Sequence, residues 1–443
     1  MRPRFFPGIG VGASPYNPHM PDVDLENRLR PTLRDCAGLR LCVAYSGGLD
    51  SSVLLHLLAR LAPEGGYVLS AIHVHHGLNA RADAWAVHCA RACAGLGIPL
   101  HIERVVVEPA GKGVEAAARE ARHAAFVGQD VDWILLAHHA DDQAETLLHR
   151  LMRGTGVAGA GAMRVRDASR RLWRPLLEVS RAELETWARA QGLGWIEDDS
   201  NENRRYTRNY LRHAVMPLLR ERQPAVVQAL GRAAAHFAES EDLLQVLARQ
   251  DLATIDPGSP DSRAVLQALG GPRMRNVLRH WLAGCGAPIP SASRLALLCD
   301  ALSGDGPVRQ CFGEYAVCAY HRRLWLEPAI LPEPMACAWS GEHELPWGVG
   351  RLRFESGAPG DHLQIRPRQG GEVMSLGAGR PRRPLKSLCQ DAGLPAWWRA
   401  QLPLLYCGET LLWVGGLGFS AEALAKELSW RPSWLAPDGR WLD

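Results

Sequence analysis

The stretch Leu41-Cys-Val-Ala-Tyr-Ser-Gly-Gly-Leu-Asp-Ser-Ser52 reads as a buried strand, a glycine turn and the start of a helix. Its apolar run ends at Ser46. Gly47 and Gly48 make the turn, and Val53, Leu54, Leu55, Leu57 and Leu58 give the segment after Asp50 a helical apolar face. Such a junction is a cradle for a phosphate. Backbone N–H groups converge there, the helix dipole is positive, and glycine lets a ligand approach the backbone. The GxxxxGK(S/T) spacing of nucleoside-triphosphate P-loops is absent, and no Lys follows the glycines. The bland alternative is an ordinary β-turn.

The remaining composition narrows the classes. A chain of 443 residues has room for about three domains at ~100–200 residues each. Hydrophobic residues make up 47% and charged residues 22%, which is a globular balance. A net charge of +3 does not by itself signal nucleic-acid binding, so any basic surface has to be local. The cations are nearly all Arg, with Lys only at positions 112, 386 and 426. Eleven Cys occur without a CxxC, which argues against a zinc ribbon or disulfide scaffold and fits reduced thiols in a cytoplasmic protein. No run approaches 18 apolar residues, so no membrane partner is expected.

Between residues 39 and 178 apolar strands alternate with amphipathic helices. Strands are expected near 40–46, 67–75, 100–107, 132–138 and 171–177, and helices near 51–62, 81–95, 114–128, 141–153 and 181–191. That rhythm predicts an α/β fold with a doubly wound parallel sheet and ligands at the carboxyl ends of its strands. Residues 224–303 are Ala/Leu/Arg-rich with helical spacing. Short strands follow at 310–327, then a Pro-rich linker at 328–334. The expected organisation is a flexible extension over 1–36, a catalytic domain over 37–220, a mainly helical domain over 221–335 and an α+β domain over 338–443.

A second motif, Ala137-His-His-Ala-Asp-Asp-Gln-Ala-Glu-Thr146, follows the strand Trp133-Ile-Leu-Leu-Ala137. Asp142 and Glu145 lie three apart at a helix start and can share one face. Acids there also suit the helix dipole without any further role. Paired with the upstream glycine loop in one sheet, they read as an acidic site, where carboxylates near a bound phosphate would hold Mg²⁺.

The SGGLDS string resembles the pyrophosphate loop of the N-type ATP pyrophosphatases, and the wider pattern is more specific. SGGLDSS at 46–52, HVHHGL at 73–78, GVEAAAREAR at 113–122 and HHADDQAET at 138–146 resemble the tRNA(Ile)-lysidine synthetase family. So do RLMRGTGVAGAGAM at 150–163, WRPLL at 173–177 and DDSNENRRYTRNYLR at 198–212. Around Arg366 and Lys386 the chain is similar to that family's accessory domain. It departs at Gly159-Ala-Gly-Ala-Met163, where the family often has Gly-Leu-x-Gly-Met, and at Cys389, where Phe is common.

The resemblance implies ATP-dependent adenylation of the wobble cytidine of tRNA(Ile) with a CAU anticodon. Attack by free L-lysine would follow, with pyrophosphate and AMP released. The main alternative, a tRNA 2-thiolation enzyme, would call for a Cys pair or iron–sulfur cluster. Asp50, His138 and Asp142 are the catalytic candidates, with Asp50 and Asp142 also expected on Mg²⁺. Ser46, Gly47, Gly48, Leu49, Asp50, Ser51, His73 and Arg122 are expected to bind ATP. His73, His75 and His76 could equally be strand-end histidines, and Arg119 and Arg122 a solvated helix face. Glu145, Arg150, Arg153 and Arg208 are expected at the substrate, although Arg153 with Gly154 could simply cap a helix. Arg205 and Arg212, in an Arg/Tyr-rich stretch suited to single-stranded RNA, and Arg366, Arg368, Arg382, Arg383 and Lys386 are expected to bind tRNA. A homodimer remains open.

Overall fold

In the computed structural model, residues 24–107, 114–197, 207–355, 363–377, 379–425 and 430–443 are described. The chain divides into two compact units, Met1–Glu241 and Asp242–Asp443.

The first unit is built on a six-stranded sheet. Its elements in order are α1 (Leu25–Leu29), β1 (Arg40–Ala44), α2 (Leu49–Gly65), β2 (Val68–His75), α3 (Ala82–Gly95), β3 (Leu100–Arg104) and α4 (Val114–Val127). They continue as β4 (Trp133–Leu135), α5 (Ala140–Met152), α6 (Val157–Ala160), β5 (Arg166–Asp167), β6 (Leu172–Trp173) and α7 (Arg181–Ala190). The strand order is β3-β2-β1-β4-β6-β5, with all neighbours parallel except the edge pair β5–β6. The order reverses direction between β1 and β4, which makes a crevice at their carboxyl ends, where ligands of such sheets bind. The glycine turn leaves β1 and the second motif leaves β4, so both open onto that crevice.

Burial explains why these elements form. In α2, Val53, Leu54, Leu55, Leu57 and Leu58 are fully buried and pack with Leu41, Val43 and Leu135 from the sheet. Each such side chain contributes about 1.5–3 kcal/mol when taken out of water. The expected α/β sheet and its helices are present. The short strand β5 was not anticipated, because two residues with Arg and Asp carry no apolar pattern.

The extension expected to be flexible over residues 1–36 is ordered from residue 24. Asp24 caps α1 by accepting from the Asn27 N–H at 2.9 Å, and Leu25, Leu29, Leu33 and Cys36 belong to the same core as α2. Pro31 sits at the start of the 3₁₀ turn Arg30–Leu33, where its missing N–H costs nothing. Residues 1–23 lie outside the described part. The expected start of the catalytic domain at residue 37 therefore moves upstream.

After α7 come α8 (Thr207–Tyr210), a π-helical turn at Leu211–Val215, α9 (Met216–Arg222) and the long α10 (Val226–Ile255). In the second unit α11 (Ser262–Ala268), α12 (Gly271–Gly284) and α13 (Ala292–Ser303) precede a three-stranded antiparallel sheet of β7 (Val308–Phe312), β8 (Tyr315–Tyr320) and β9 (Arg323–Pro328). Val317, Ala319 and Leu324 pack on the helices, whereas Ala316, Cys318 and Trp325 join the core of the C-terminal strands. That alternation follows the two-residue period of a strand. Buried Glu327 accepts from Arg309 Nε at 2.7 Å, Trp325 Nε1 at 3.0 Å and Trp398 Nε1 at 2.9 Å. The expected division at 335/338 is thus bridged, because one sheet serves both cores. Beyond it lie antiparallel sheets of five, four and two strands. No helix among the described residues is long and apolar enough to cross a membrane.

Candidate active site

The glycine turn is shaped from both sides. Gly47 has φ +82°, and a Cβ there would sit 2.6 Å from Ile196 Cδ1 and 3.0 Å from Cys89 Sγ. Gly48 is the N-cap of α2, and the nearest atom to a Cβ built on it is Ser46 Oγ at 3.5 Å. One glycine is needed for packing beneath the loop, and the other leaves the cradle open. Ser51 Oγ lies 3.0 Å from Ser46 Oγ and donates to the Gly48 carbonyl at 3.1 Å, tying the turn to the first helical turn. Leu49 is buried in the core, so any role in ATP binding falls to its backbone.

Asp50, in the first turn of α2, points toward the motif after β4. Its Oδ2 lies 3.6 Å from His139 Nε2 and 3.6 Å from Arg181 Nη1, and its buried Oδ1 has no hydrogen-bond partner. His139 is completely buried at the N-cap of α5. Burial opposes its charge, but Asp141, Asp50 and Asp142 outweigh that and push its pKa up to about 10. A buried imidazolium therefore joins the phosphate loop to the acids of α5.

Those acids are held from the other side. Asp142 Oδ1 accepts from Arg208 at 2.8 Å and from Arg212 at 2.9 Å, and its Oδ2 accepts from the His139 N–H at 3.2 Å. Burial works against its charge, yet His139 and the two guanidinium groups hold the carboxyl well below the usual range. Glu145 Oε1 accepts from Arg212 Nε at 2.8 Å and its Oε2 from Arg208 Nε at 3.3 Å. Asp141 pairs with Arg220 and accepts from the Arg181 N–H at 2.8 Å. Its carboxyl is pushed down to about 2, with burial opposing and His139 and the Arg181 N–H prevailing. The π-helical turn follows α8, which carries Arg208, and includes Arg212, and both side chains reach one pair of acids. Asp141, Glu145, Arg181, Arg212, His213, Met216 and Arg220 line a cavity here.

Other expected residues take different places. His138 is half-buried, and burial followed by Arg174, Arg208 and Arg119 pushes its pKa down to about 3 despite Asp142. It is neutral at pH 7 and a weak base in the ligand-free site. His73 is buried with Nδ1 2.9 Å from the Tyr45 carbonyl, the strand-end arrangement left open above. Arg122 donates to His76 Nε2 at 3.4 Å. Burial and Arg122 push the His76 ring down to about 4.

Arg150 donates to the carbonyls of Gly159 and Ala162 at 2.9 and 2.8 Å, so it pins the loop after α5. Arg153 is the exposed C-cap of α5, followed by Gly154 at φ +70°, which is the capping arrangement. Arg205, with Arg204 and Tyr206, lies outside the described residues.

In the second unit the cations expected to bind tRNA are partly neutralised by acids near and far in sequence. Arg368 lies 3.3 Å from Glu372, Arg383 2.7 Å from Asp391, and Arg366 3.6 Å from Glu409 and 4.8 Å from the Tyr406 ring centre. Arg380, Arg382 and Lys386 are exposed.

His139, Asp141, Arg181 and Arg220 are site residues that sequence reasoning missed. The capping-box spacing could have found His139, since an N-cap stands three residues before Asp142 and His138 stands four before it. Nothing in the local pattern around Arg181 or Arg220 marks them.

Comparison with known proteins gives the family. Residues 21–219 match the PP-loop domain, 262–325 the TilS substrate binding domain and 363–434 the TilS substrate C-terminal domain. The tRNA(Ile)-lysidine synthase of Azoarcus sp. (strain BH72) is 44% identical over 423 residues, covering 91% of this chain and 94% of that protein. The chain belongs to the tRNA(Ile)-lysidine synthase family. The tRNA(Ile)-lysidine synthases of Aromatoleum aromaticum and Shigella flexneri are 45% and 39% identical, covering 86% and 87% of this chain and 94% of each relative. The fold class expected from the sequence, a PP-loop α/β sheet followed by helical and α+β parts, is the observed one.

Proposed function

We propose that this chain ligates free L-lysine to C2 of the wobble cytidine of tRNA(Ile) with a CAU anticodon, in the cytoplasm, at the expense of ATP. The observation that carries the reading is the facing of two sites in one crevice. The Gly47–Gly48 cradle ends β1, and the Asp142/Glu145 pair with Arg208 and Arg212 stands after β4.

In the first step the C2 carbonyl oxygen attacks the α-phosphorus of ATP, the bond to the β-phosphate oxygen breaks, and pyrophosphate leaves. The cradle and the N-terminus of α2 hold the phosphates and take up the developing charge. Asp50 fits Mg²⁺, because its Oδ1 is buried without a partner. The ion, when bound, neutralises the leaving pyrophosphate. Asp142 fits that role less well, since both of its oxygens already accept hydrogen bonds.

In the second step the lysine ε-amine attacks C2, the bond to the adenylyl oxygen breaks, and AMP departs with the electron pair. A free amino acid carries both charges, and this site offers both complements: Asp142 and Glu145 for an ammonium, Arg208 and Arg212 for the carboxylate. His138 is assigned the amine proton, with Asp142 favouring the charged ring against burial and the guanidinium groups. Arg380, Arg382 and Lys386 supply phosphate contacts to the tRNA body. The test is the order of product release. Pyrophosphate should appear with ATP and tRNA alone, and AMP only after lysine is added. AMP released together with pyrophosphate in the absence of lysine would contradict the reading.

A further inference from the structure

Arg174 is a buried cation that the chemistry above does not use. It follows β6 directly, at the carboxyl end of that strand, and only 7% of it is exposed. The neighbouring strand ends with it, since the Leu136 N–H donates to the Trp173 carbonyl at 2.8 Å. Arg174 Nη1 donates to the Arg164 carbonyl at 2.8 Å, while its Nε is buried without a hydrogen-bond partner. No carboxylate among the described residues pairs with it within ion-pair distance. Asp167 favours its charge from a distance, but that carboxylate hydrogen-bonds Ser169 Oγ at 2.7 Å and the Arg170 N–H at 3.3 Å. A buried guanidinium held by one carbonyl and left with a free donor is costly unless an anion completes it. Burial disfavours its charge most, and Arg119, Arg170 and Arg150 add to that against the opposing pull of Asp167.

We propose that Arg174, together with Arg119, forms a second phosphate-binding site that takes a phosphodiester of the RNA strand beside the target nucleotide. This rests on the reading of the chain as an RNA-modifying ligase. Position in the sheet separates the site from the ATP cradle. The cradle ends β1, the acids follow β4, and Arg174 ends β6, two strand spacings or about 10 Å from β1. A nucleotide that brings its base to the acids carries a phosphate on each side. The flank facing away from the ATP cradle meets Arg174.

The test uses the full-length protein and two binding measurements made separately. The first is affinity for a tRNA(Ile) transcript without ATP over a salt series, and the second is affinity for ATP without tRNA. Arg174→Gln and Arg119→Gln should each weaken tRNA roughly tenfold and reduce the slope of log affinity against log salt by about one. ATP affinity should stay within twofold. Loss of ATP affinity with tRNA unchanged would assign the anion to the nucleotide. An unchanged salt slope in both variants would leave Arg174 as a clamp on the Arg164 carbonyl, and either result overturns the proposal. Arg119 is exposed, so its variant carries the test if Arg174→Gln does not fold. Lysine incorporation by the unmodified protein is measured alongside. Its failure with tRNA binding intact would sink the ligase reading and leave the anion site standing.

Discussion

His139 carries more of the site than either neighbouring motif residue, because three carboxylates of two helices converge on one ring. Its pKa of about 10 lies above the ordinary 6.5, so the folded state holds the proton more tightly than the unfolded chain. The stabilisation is complete below pH 6.5 and is lost as pH rises toward 10. Thermal melts of the wild type and His139→Gln should therefore differ most below pH 6.5 and converge by pH 10. A gap independent of pH would mean that the ring is neutral. A second residue-scale prediction concerns Ala162, which holds φ +48°, a left-handed conformation that costs a non-glycine residue about 1 kcal/mol. Ala162→Gly should stabilise the chain by roughly that amount in denaturant titration, less the extra chain entropy of glycine. The sequence shows Ala at this place where relatives often have Gly. Only the backbone angle turns that difference into strain.

At the scale of elements, the strands and helices around the crevice were legible because buried parallel strands are continuous apolar runs and the helices repeat at three and four. The acids of α5 were legible for the same reason, as they sit at a fixed offset from a clear strand. Their pairing with Arg208 and Arg212 was not, although Arg208 and Glu145 were both expected at the substrate. Arg208 and Arg212 come from an element that follows a long connection, and the π-helical turn that includes Arg212 leaves no mark in composition. Residues 24–36 were misread because they were grouped with the Pro- and Gly-rich stretch before them, although Leu25, Leu29 and Leu33 already recur at four-residue spacing. Removing one of the two guanidinium groups tests the pairing. Arg212→Ala leaves Glu145, almost wholly buried, with Arg208 alone. Breaking a buried pair costs about 3–5 kcal/mol, and the remaining Arg should reduce this to roughly 2 kcal/mol. Urea denaturation reads that loss, and the KM for lysine should rise with it. A variant of unchanged stability would contradict the paired arrangement.

Across the whole molecule, Arg366, Arg368, Arg382, Arg383 and Lys386 read in sequence as tRNA contacts, but the fold sets Glu409, Glu372 and Asp391 against Arg366, Arg368 and Arg383. Pairing across a fold is invisible to local charge counting, so the free cations shrink toward Arg380, Arg382 and Lys386. The central claim is that ATP, lysine and one cytidine meet between the ends of β1 and β4. Purified protein incubated with ATP, labelled lysine and isoleucine tRNA transcripts tests it most directly. Label should enter the transcript with a CAU anticodon and not the one with GAU, and Asp50→Ala should abolish it while tRNA binding persists. Label in both transcripts, or in neither while ATP and tRNA still bind, would contradict the account.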